Sequence, residues 1–195
     1  MAALDFKASS VTAVDVDDVL IDQAKERLIF RQSRVLTTHG RGAKEIDYFP
    51  ISAVIEHGTT PSEDTGILGS VNFVCEDWAI SENPATLGPC DVIIAFSVLK
   101  WIHLEHLDEG LRRCFQKFAS CLHPGGYLFL EIQPKQSYEK AVSANKAPHY
   151  ASNLTQLTMW PKAFDSVLAE YGLMHVVSSD ELPRRISIYR KITDV

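Results

Sequence analysis

The sequence predicts an α/β fold, Rossmann-like in outline, with a mainly parallel sheet and helices on both faces. Three observations carry this expectation. Short apolar runs alternate with segments whose apolar residues recur at helical spacing. The run Asp91–Phe96 (DVIIAF) is almost continuously apolar, as a strand covered on both faces requires. Two sequential strand-like runs then close the chain, the signature of an antiparallel pair added to such a sheet.

Taken in order, Ser10–Val16 reads as a short buried strand. Asp17 follows as the N-cap of a helix whose apolar face is Leu20, Ile21, Ala24 and Leu28. From about 33 to 70 the pattern breaks into Gly, Pro, Thr and charged residues around one apolar island, Tyr48-Phe49-Pro50-Ile51, which reads as a loop insertion. Val71–Cys75 is a second strand and Asp91–Phe96 a third. Between Leu104 and Leu122, the residues Leu107, Leu111, Cys114, Phe115, Phe118 and Ala119 mark one helix face, and Pro124-Gly125-Gly126 separates that helix from a strand at Tyr127–Ile132. Pro161 fits the first turn of a helix carrying Phe164, Val167, Leu168 and Tyr171. Gly172 closes it, and Met174–Val177 and Ile186–Tyr189 are the final strands. One domain covering 1–195 is expected.

Composition narrows the function classes. A chain of 195 residues with 46% hydrophobic and 23% charged content suits one globular core. No apolar run reaches the roughly 20 residues that a membrane helix needs, and MAALDFKASS lacks a signal-peptide layout, so no membrane partner and an intracellular location are expected. Nucleus and cytoplasm are not distinguished. The net charge of -6 argues against a general nucleic-acid coat but permits a local basic pocket. Cys75, Cys90, Cys114 and Cys121 contain no CxxC pair, so no metal site and no disulfide framework is expected, and they read as buried reduced thiols.

In open α/β sheets the ligand lies beyond the carboxyl ends of the strands, so the residues just after each run carry the chemistry. Asp15 ends the first run, Glu76-Asp77-Trp78 the second and Phe96-Ser97 the third. A carboxylate at the first position can accept both hydroxyls of a ribose, and one at the second an adenine amino group. Capping is the alternative for Asp15 and Asp17, a turn for Asp77 and simple packing for Trp78. The stretch Ser97–Leu104 (SVLKWIHL) brings a cation, an aromatic ring and an imidazole to the place where a transferred group would sit. Against this stand a solvated Lys100 and a His103 that only caps a helix. Glu131, Gln133, Pro134 and Lys135 form a second polar rim, for which a loop without function is the ordinary expectation.

The strings VTAVDVDDVLIDQAKERL, VNFVCEDW and CDVIIAFSVLKWIHLEHLDEGLRRCFQKFASCLHPGGYLFLEIQPKQSY resemble the bicoid-interacting RNA methyltransferases, which include the methylphosphate capping enzymes. The series SVLKWIHL…DEGL…LHPGG…LE.QP is its most specific part, and DYFPISAV resembles a Phe-Pro-Val-Ser segment of that family. The resemblance implies a class I S-adenosyl-L-methionine-dependent methyltransferase. It implies cofactor contacts at Asp15 and Val16 (ribose), Asp77 and Trp78 (adenine) and Phe96, with Lys100 holding the acceptor phosphate. His103 would add a hydrogen bond. The implied partner is RNA with a 5′ phosphate and the implied reaction an O-methylation of that phosphate.

The family begins its domain with a strand ending in a Gly-Cys-Asn-type loop; no equivalent precedes Asp15, and Ala2–Ser9 resembles the tail of the helix that would follow it. The first strand is therefore expected to be absent, leaving the strands around Asp15 and Phe96 with unpaired inner edges. Two other readings stay open: a non-catalytic remnant that binds RNA or protein, and a small-molecule O- or N-methyltransferase.

Overall fold

A computed structural model describes residues 8–32, 34–37, 45–48, 52, 71–143, 146–179 and 184–192. The chain divides into two compact units, Met1–Trp78 and Ala79–Val195, where the sequence reading expects one domain.

In the first unit, β1 (Val11–Asp15) pairs in parallel with β4 (Val71–Cys75), from Val11 opposite Val71 to Asp15 opposite Cys75. Helix α1 (Asp18–Gln32) follows β1 directly. It begins there because the Asp17 carboxylate accepts the amides of Val19 (2.9 Å) and Leu20 (3.2 Å), two donors that have no carbonyl partner in a first helical turn. Of the apolar face expected for α1, Ile21 is buried and Ala24 and Leu28 partly so, but Leu20 is exposed. The expected insertion is not all loop. Within it β2 (Arg34–Thr37) and β3 (Glu45–Tyr48) form an antiparallel pair, with Arg34 opposite Tyr48. The Tyr48-Phe49-Pro50-Ile51 island begins in β3 and otherwise lies outside the described residues.

The second unit holds a four-stranded sheet ordered β5-β6-β8-β7: β5 (Cys90–Ala95), β6 (Leu122–Glu131), β7 (Leu173–Ser179) and β8 (Ile186–Lys191). β5 and β6 are parallel, and β6–β8 and β8–β7 antiparallel, so the terminal pair is as expected and the sheet is mixed. Among the described residues β1 pairs only with β4, and β5 only with β6. The long helix α2 (Leu99–Cys121) buries Leu104, Leu111, Cys114, Phe115 and Phe118. Its helical geometry is broken at Leu107 (φ 58°). The glycine three residues later answers that break: a Cβ on Gly110 would lie 2.0 Å from the His106 Cβ. The turn before the paired part of β6 also needs glycine. Gly125 adopts φ +83°, and a Cβ on Gly126 would meet the Asp91 carbonyl at 2.9 Å.

Helices α3 (Lys135–Ser143) and α4 (Ala151–Gln156) lie where the sequence shows only a polar stretch. A 3₁₀ turn at Pro161–Ala163 leads into α5 (Phe164–Glu170), and Gly172 closes it at φ +78°. The amide of Gly172 reaches the Ala169 carbonyl at 3.0 Å. Cys114 and Cys121 are buried free thiols, as expected, but Cys75 is exposed and Cys90 only partly buried. Burial pushes the Cys90 thiol up to about 11, helped by Cys121 and Asp91. Among the described residues no helix is long and apolar enough to cross a membrane, and no group of three or more metal-ligating side chains is found.

Candidate functional site

In the second unit, the parallel register sets Ala95 opposite Leu130, so the residues that follow β5 and the last residue of β6 emerge side by side at the carboxyl end of the sheet. Phe96 is 42% exposed there, an aromatic ring left open to solvent. Ser97 adopts φ 61°, a left-handed conformation that non-glycine residues seldom hold and that tends to occur at functional positions. Helix α2 then starts after Val98, which supplies no side-chain cap.

Lys100 lies in the first turn of α2 and is only 8% exposed. Its Nζ donates to Ser137 Oγ at 3.2 Å and sits 4.6 Å from the centre of the Trp101 ring. Burial holds the ammonium below the ordinary lysine range; Lys146 and Arg184 push the same way, and Glu131 opposes them. The solvated alternative for Lys100 therefore does not describe this structure.

His103 has no exposed surface, and both ring nitrogens are engaged. Nε2 lies 2.7 Å from Asp108 Oδ1 and Nδ1 3.3 Å from the Tyr138 hydroxyl. Asp108 Oδ2 accepts the Thr158 amide (2.9 Å), the Thr158 hydroxyl (2.5 Å) and the Met159 amide (3.0 Å). An acceptor so surrounded is ionised, which assigns the proton to Nε2 and makes Nδ1 the acceptor of the Tyr138 hydroxyl. The rings of Tyr138, Trp160 and Phe164 enclose the imidazole edge-on, at 5.6, 6.4 and 6.2 Å between centroids. A ring held in this way has no nitrogen left to offer a substrate, so the expected hydrogen bond from His103 is corrected. It ties α2 to α3 and to the 157–160 segment, and α3 carries the Ser137 that receives Lys100.

Arg184 escaped the sequence reading, and Glu131 and Gln133 entered it only as part of a polar rim. Glu131, assigned only to a polar rim, is 4% exposed, and its Oε2 accepts the Ser97 hydroxyl at 2.9 Å. Arg184 Nη1 donates to Ser97 Oγ at 2.8 Å and lies 3.5 Å from the same Glu131 oxygen. The Oε1 of Gln133 is buried with no hydrogen-bond partner. A signal for Arg184 did exist. In the antiparallel pairing Glu131 faces Ile186, so a residue just before β8 arrives beside Glu131.

In the first unit, Asp15 ends β1 half-buried, and its Oδ1 accepts the Asp17 amide at 3.0 Å. Its other carboxylate oxygen has no partner among the described residues, so the capping role and a ligand role are compatible. Val16 is 71% exposed. Asp77 and Trp78 follow β4, both half-buried, after Glu76 donates its amide to the Asp15 carbonyl at 3.0 Å. The structure thus brings Asp15, Val16, Asp77 and Trp78 to the carboxyl ends of one strand pair, and Phe96 and Lys100 to those of another.

Solved structures show the same fold at low identity. The N-methyltransferase NodS from Bradyrhizobium japonicum WM9, in complex with S-adenosyl-L-homocysteine, aligns with a TM-score of 0.55 at 13% identity, over 96% of this chain and 69% of that one. The fold is that of the class I S-adenosylmethionine-dependent methyltransferases. Among curated proteins, the chain is 41% identical over 78 residues to the 7SK snRNA methylphosphate capping enzyme of Mus musculus, which is 40% of this chain and 11% of that protein. It is 30% identical over 135 residues to the U6 snRNA methylphosphate capping enzyme Amus of Drosophila melanogaster, 69% of this chain and 37% of that protein. The chain spans well under half the length of these relatives. Residues 90–192, just over half of the chain, match the family model described as Bicoid-interacting protein 3 (Bin3). The chain belongs to the Bicoid-interacting protein 3 family.

Proposed function

We propose that this protein is an S-adenosyl-L-methionine-dependent methyltransferase that transfers a methyl group to a 5′ phosphate oxygen of RNA, inside the cell. The observation that carries the reading is Lys100. It is a buried cation at the carboxyl end of the sheet, fixed between Ser137 and the Trp101 ring, and a phosphate oxygen would complete its coordination.

Each unit, taken by itself, offers residues that fit part of the cofactor. The unpartnered oxygen of Asp15 suits a ribose hydroxyl, and the exposed Val16 offers apolar surface beside it. Asp77 and Trp78 would contact adenine. In the second unit, taken by itself, the exposed Phe96 ring is the further cofactor contact that the family resemblance implies, and Gln133 Oε1 is a buried acceptor without a partner among the described residues. When bound, S-adenosylmethionine would supply an electrophilic methyl carbon with a neutral thioether as its leaving group, and the phosphate oxygen would supply the electron pair. The phosphate oxygen is already anionic near neutral pH, so no residue of the chain need remove a proton. The work left to the chain is alignment and charge control by Lys100, whose own geometry depends on the His103–Tyr138 contact.

The direct test combines titration of S-adenosylhomocysteine into the folded chain with transfer of labelled methyl to RNA. Micromolar binding, with label entering 5′-phosphorylated but not 5′-hydroxyl RNA, is the expected result. Replacing Lys100 by Met should lower transfer by about 100-fold, the scale of a lost charge-assisted contact to a reacting group, while cofactor affinity stays within a factor of about two. Binding of RNA by a folded chain that ignores the cofactor would replace this reading with a non-catalytic module. Methylation of small metabolites alone would replace it with a small-molecule enzyme.

A further inference from the structure

Among the described residues, the carboxyl end of the β5–β6 pair holds more positive charge than the one buried carboxylate there, Glu131, balances. Glu131 is 4% exposed and receives the Ser97 hydroxyl at 2.9 Å, and Ser97 in turn accepts Arg184 Nη1 at 2.8 Å. Lys100 follows Ser97 by three residues, in the first turn of α2, where its Nζ donates to Ser137 Oγ at 3.2 Å; burial first, then the like charges of Lys146 and Arg184, lower its proton affinity against the pull of Glu131. The Arg184 side chain is 67% exposed while its Nη1 is held by Ser97 and lies 3.5 Å from Glu131 Oε2. The φ of 61° at Ser97 is what turns its hydroxyl between the carboxylate and the guanidinium.

Cations that crowd a single carboxylate at the ligand end of a sheet call for an added anion, and its charge is set by the excess. A terminal phosphate loses its second proton near pH 6 and is doubly charged at neutral pH, whereas an internal phosphodiester carries one charge. A planar guanidinium matches two phosphate oxygens at once.

We propose that Arg184, held in place by Ser97 and Glu131, is a second phosphate-binding cation beside Lys100 and selects a terminal, doubly charged RNA phosphate over internal phosphodiesters. This rests on the proposed role of Lys100 as a phosphate contact. Ser97 and Glu131 act through Arg184 and are positioning residues.

The test measures fluorescence anisotropy of one short oligoribonucleotide carrying either a 5′ monophosphate or a 5′ hydroxyl, with the full chain at fixed salt. The wild type is expected to prefer the phosphorylated end. Arg184→Gln should weaken binding of that end by about 10-fold or more and leave the hydroxyl end unchanged, with Arg184→Lys recovering part of the preference. Ser97→Ala, which keeps the guanidinium but loosens it, should weaken the phosphorylated end by about 3-fold. A wild type with no preference would remove the Lys100 reading itself. A wild type with a preference that Arg184→Gln keeps in full, or a variant that weakens both ends equally, would overturn the Arg184 assignment alone.

Discussion

The two units contain the same building block, a parallel strand pair with a helix after its first strand, yet their described residues are buried to different extents. Every large side chain that is fully buried among the described residues lies in 79–195, including Phe115, Tyr138, Phe164 and Tyr189. Among the described residues of 1–78 the buried apolar ones are Ile21 and Val74, and Val16, Val19 and Leu20 are 71%, 59% and 48% exposed; β5 in turn leaves Val92 48% and Ile94 50% exposed, so it is not the strand covered on both faces that its apolar run predicts. The strands themselves do not explain this, since β1 (VTAVD) and β5 (CDVIIA) are similarly apolar. The difference lies in what lies beside and above them. β6 is paired on both edges and lies under α2, whereas among the described residues β1 and β4 pair only with each other and α1 shows one buried side chain, Ile21. A parallel pair gains its stability from cover more than from its own ladder.

The sharpest way to break this contrast is to truncate one core residue in each unit. Phe115 has no exposed surface and packs edge-to-face on Phe164 at 5.5 Å, so Phe115→Ala should cost about 3–5 kcal/mol in urea unfolding. Val74→Ala removes two methyl-sized groups from a thinner core and should cost about 1.5 kcal/mol. Equal losses would mean that the two cores are equally consolidated, and the comparison would fail.

The same contrast governs what the sequence made legible. The β1, β4 and β5 runs, the Asp17 cap, the Pro161 start and the Gly172 stop all follow from local rules, because each needs only a few neighbouring residues. So does the placing of Lys100 at a strand end. Helices α3 and α4 were missed because six to nine mostly polar residues carry no clear periodicity. The short strands β2 and β3 were missed for the same reason. The role of His103 is fixed by Tyr138, 35 residues away, and that of Ser97 by Arg184, 87 residues away. Nothing local to either residue distinguishes a buried, doubly bonded imidazole from a substrate donor. Leu107 fits the apolar face by spacing and still breaks the helix, since periodicity reads side chains and not φ.

A second, smaller effect separates the units by pH. Burial lowers the proton affinity of His103, and the hydrogen bond and charge of Asp108 only partly oppose it. The unfolded imidazole takes up a proton below about pH 6.5, so there the unfolded state binds more protons than the folded one. His103 therefore contributes full stability above that pH, and the contribution falls as pH drops towards the folded value, by at most about 1.4 kcal/mol per pH unit. Burial also pushes the Asp108 carboxyl up, but the bonds from Thr158, His103 and Met159 more than offset it and leave it below its ordinary value. Its contribution is lost only at lower pH, from about 3.9 downward, below the pH at which the loss from His103 begins. Urea unfolding between about pH 5 and 7.5 should show a slope in the wild type that flattens in His103→Gln. Identical slopes would place the titrating group elsewhere.

The smallest predicted effect belongs to the first unit. Asp17→Ala removes the acceptor of the Val19 and Leu20 amides but keeps the Asp17 backbone amide that Asp15 accepts. The loss should be about 1 kcal/mol, the usual worth of an N-cap. Because α1 buries little, that loss should appear as faster amide exchange through the first turns of α1, with the exchange of β6 and β8 amides unchanged. A uniform acceleration across both units would mean that they unfold as one cooperative body, and the thin cover on β1 and β4 would then be no guide to their stability. Confinement to α1 would establish that Asp15, at the head of α1, stands on the less stable of the two units and the buried Lys100 on the more stable one.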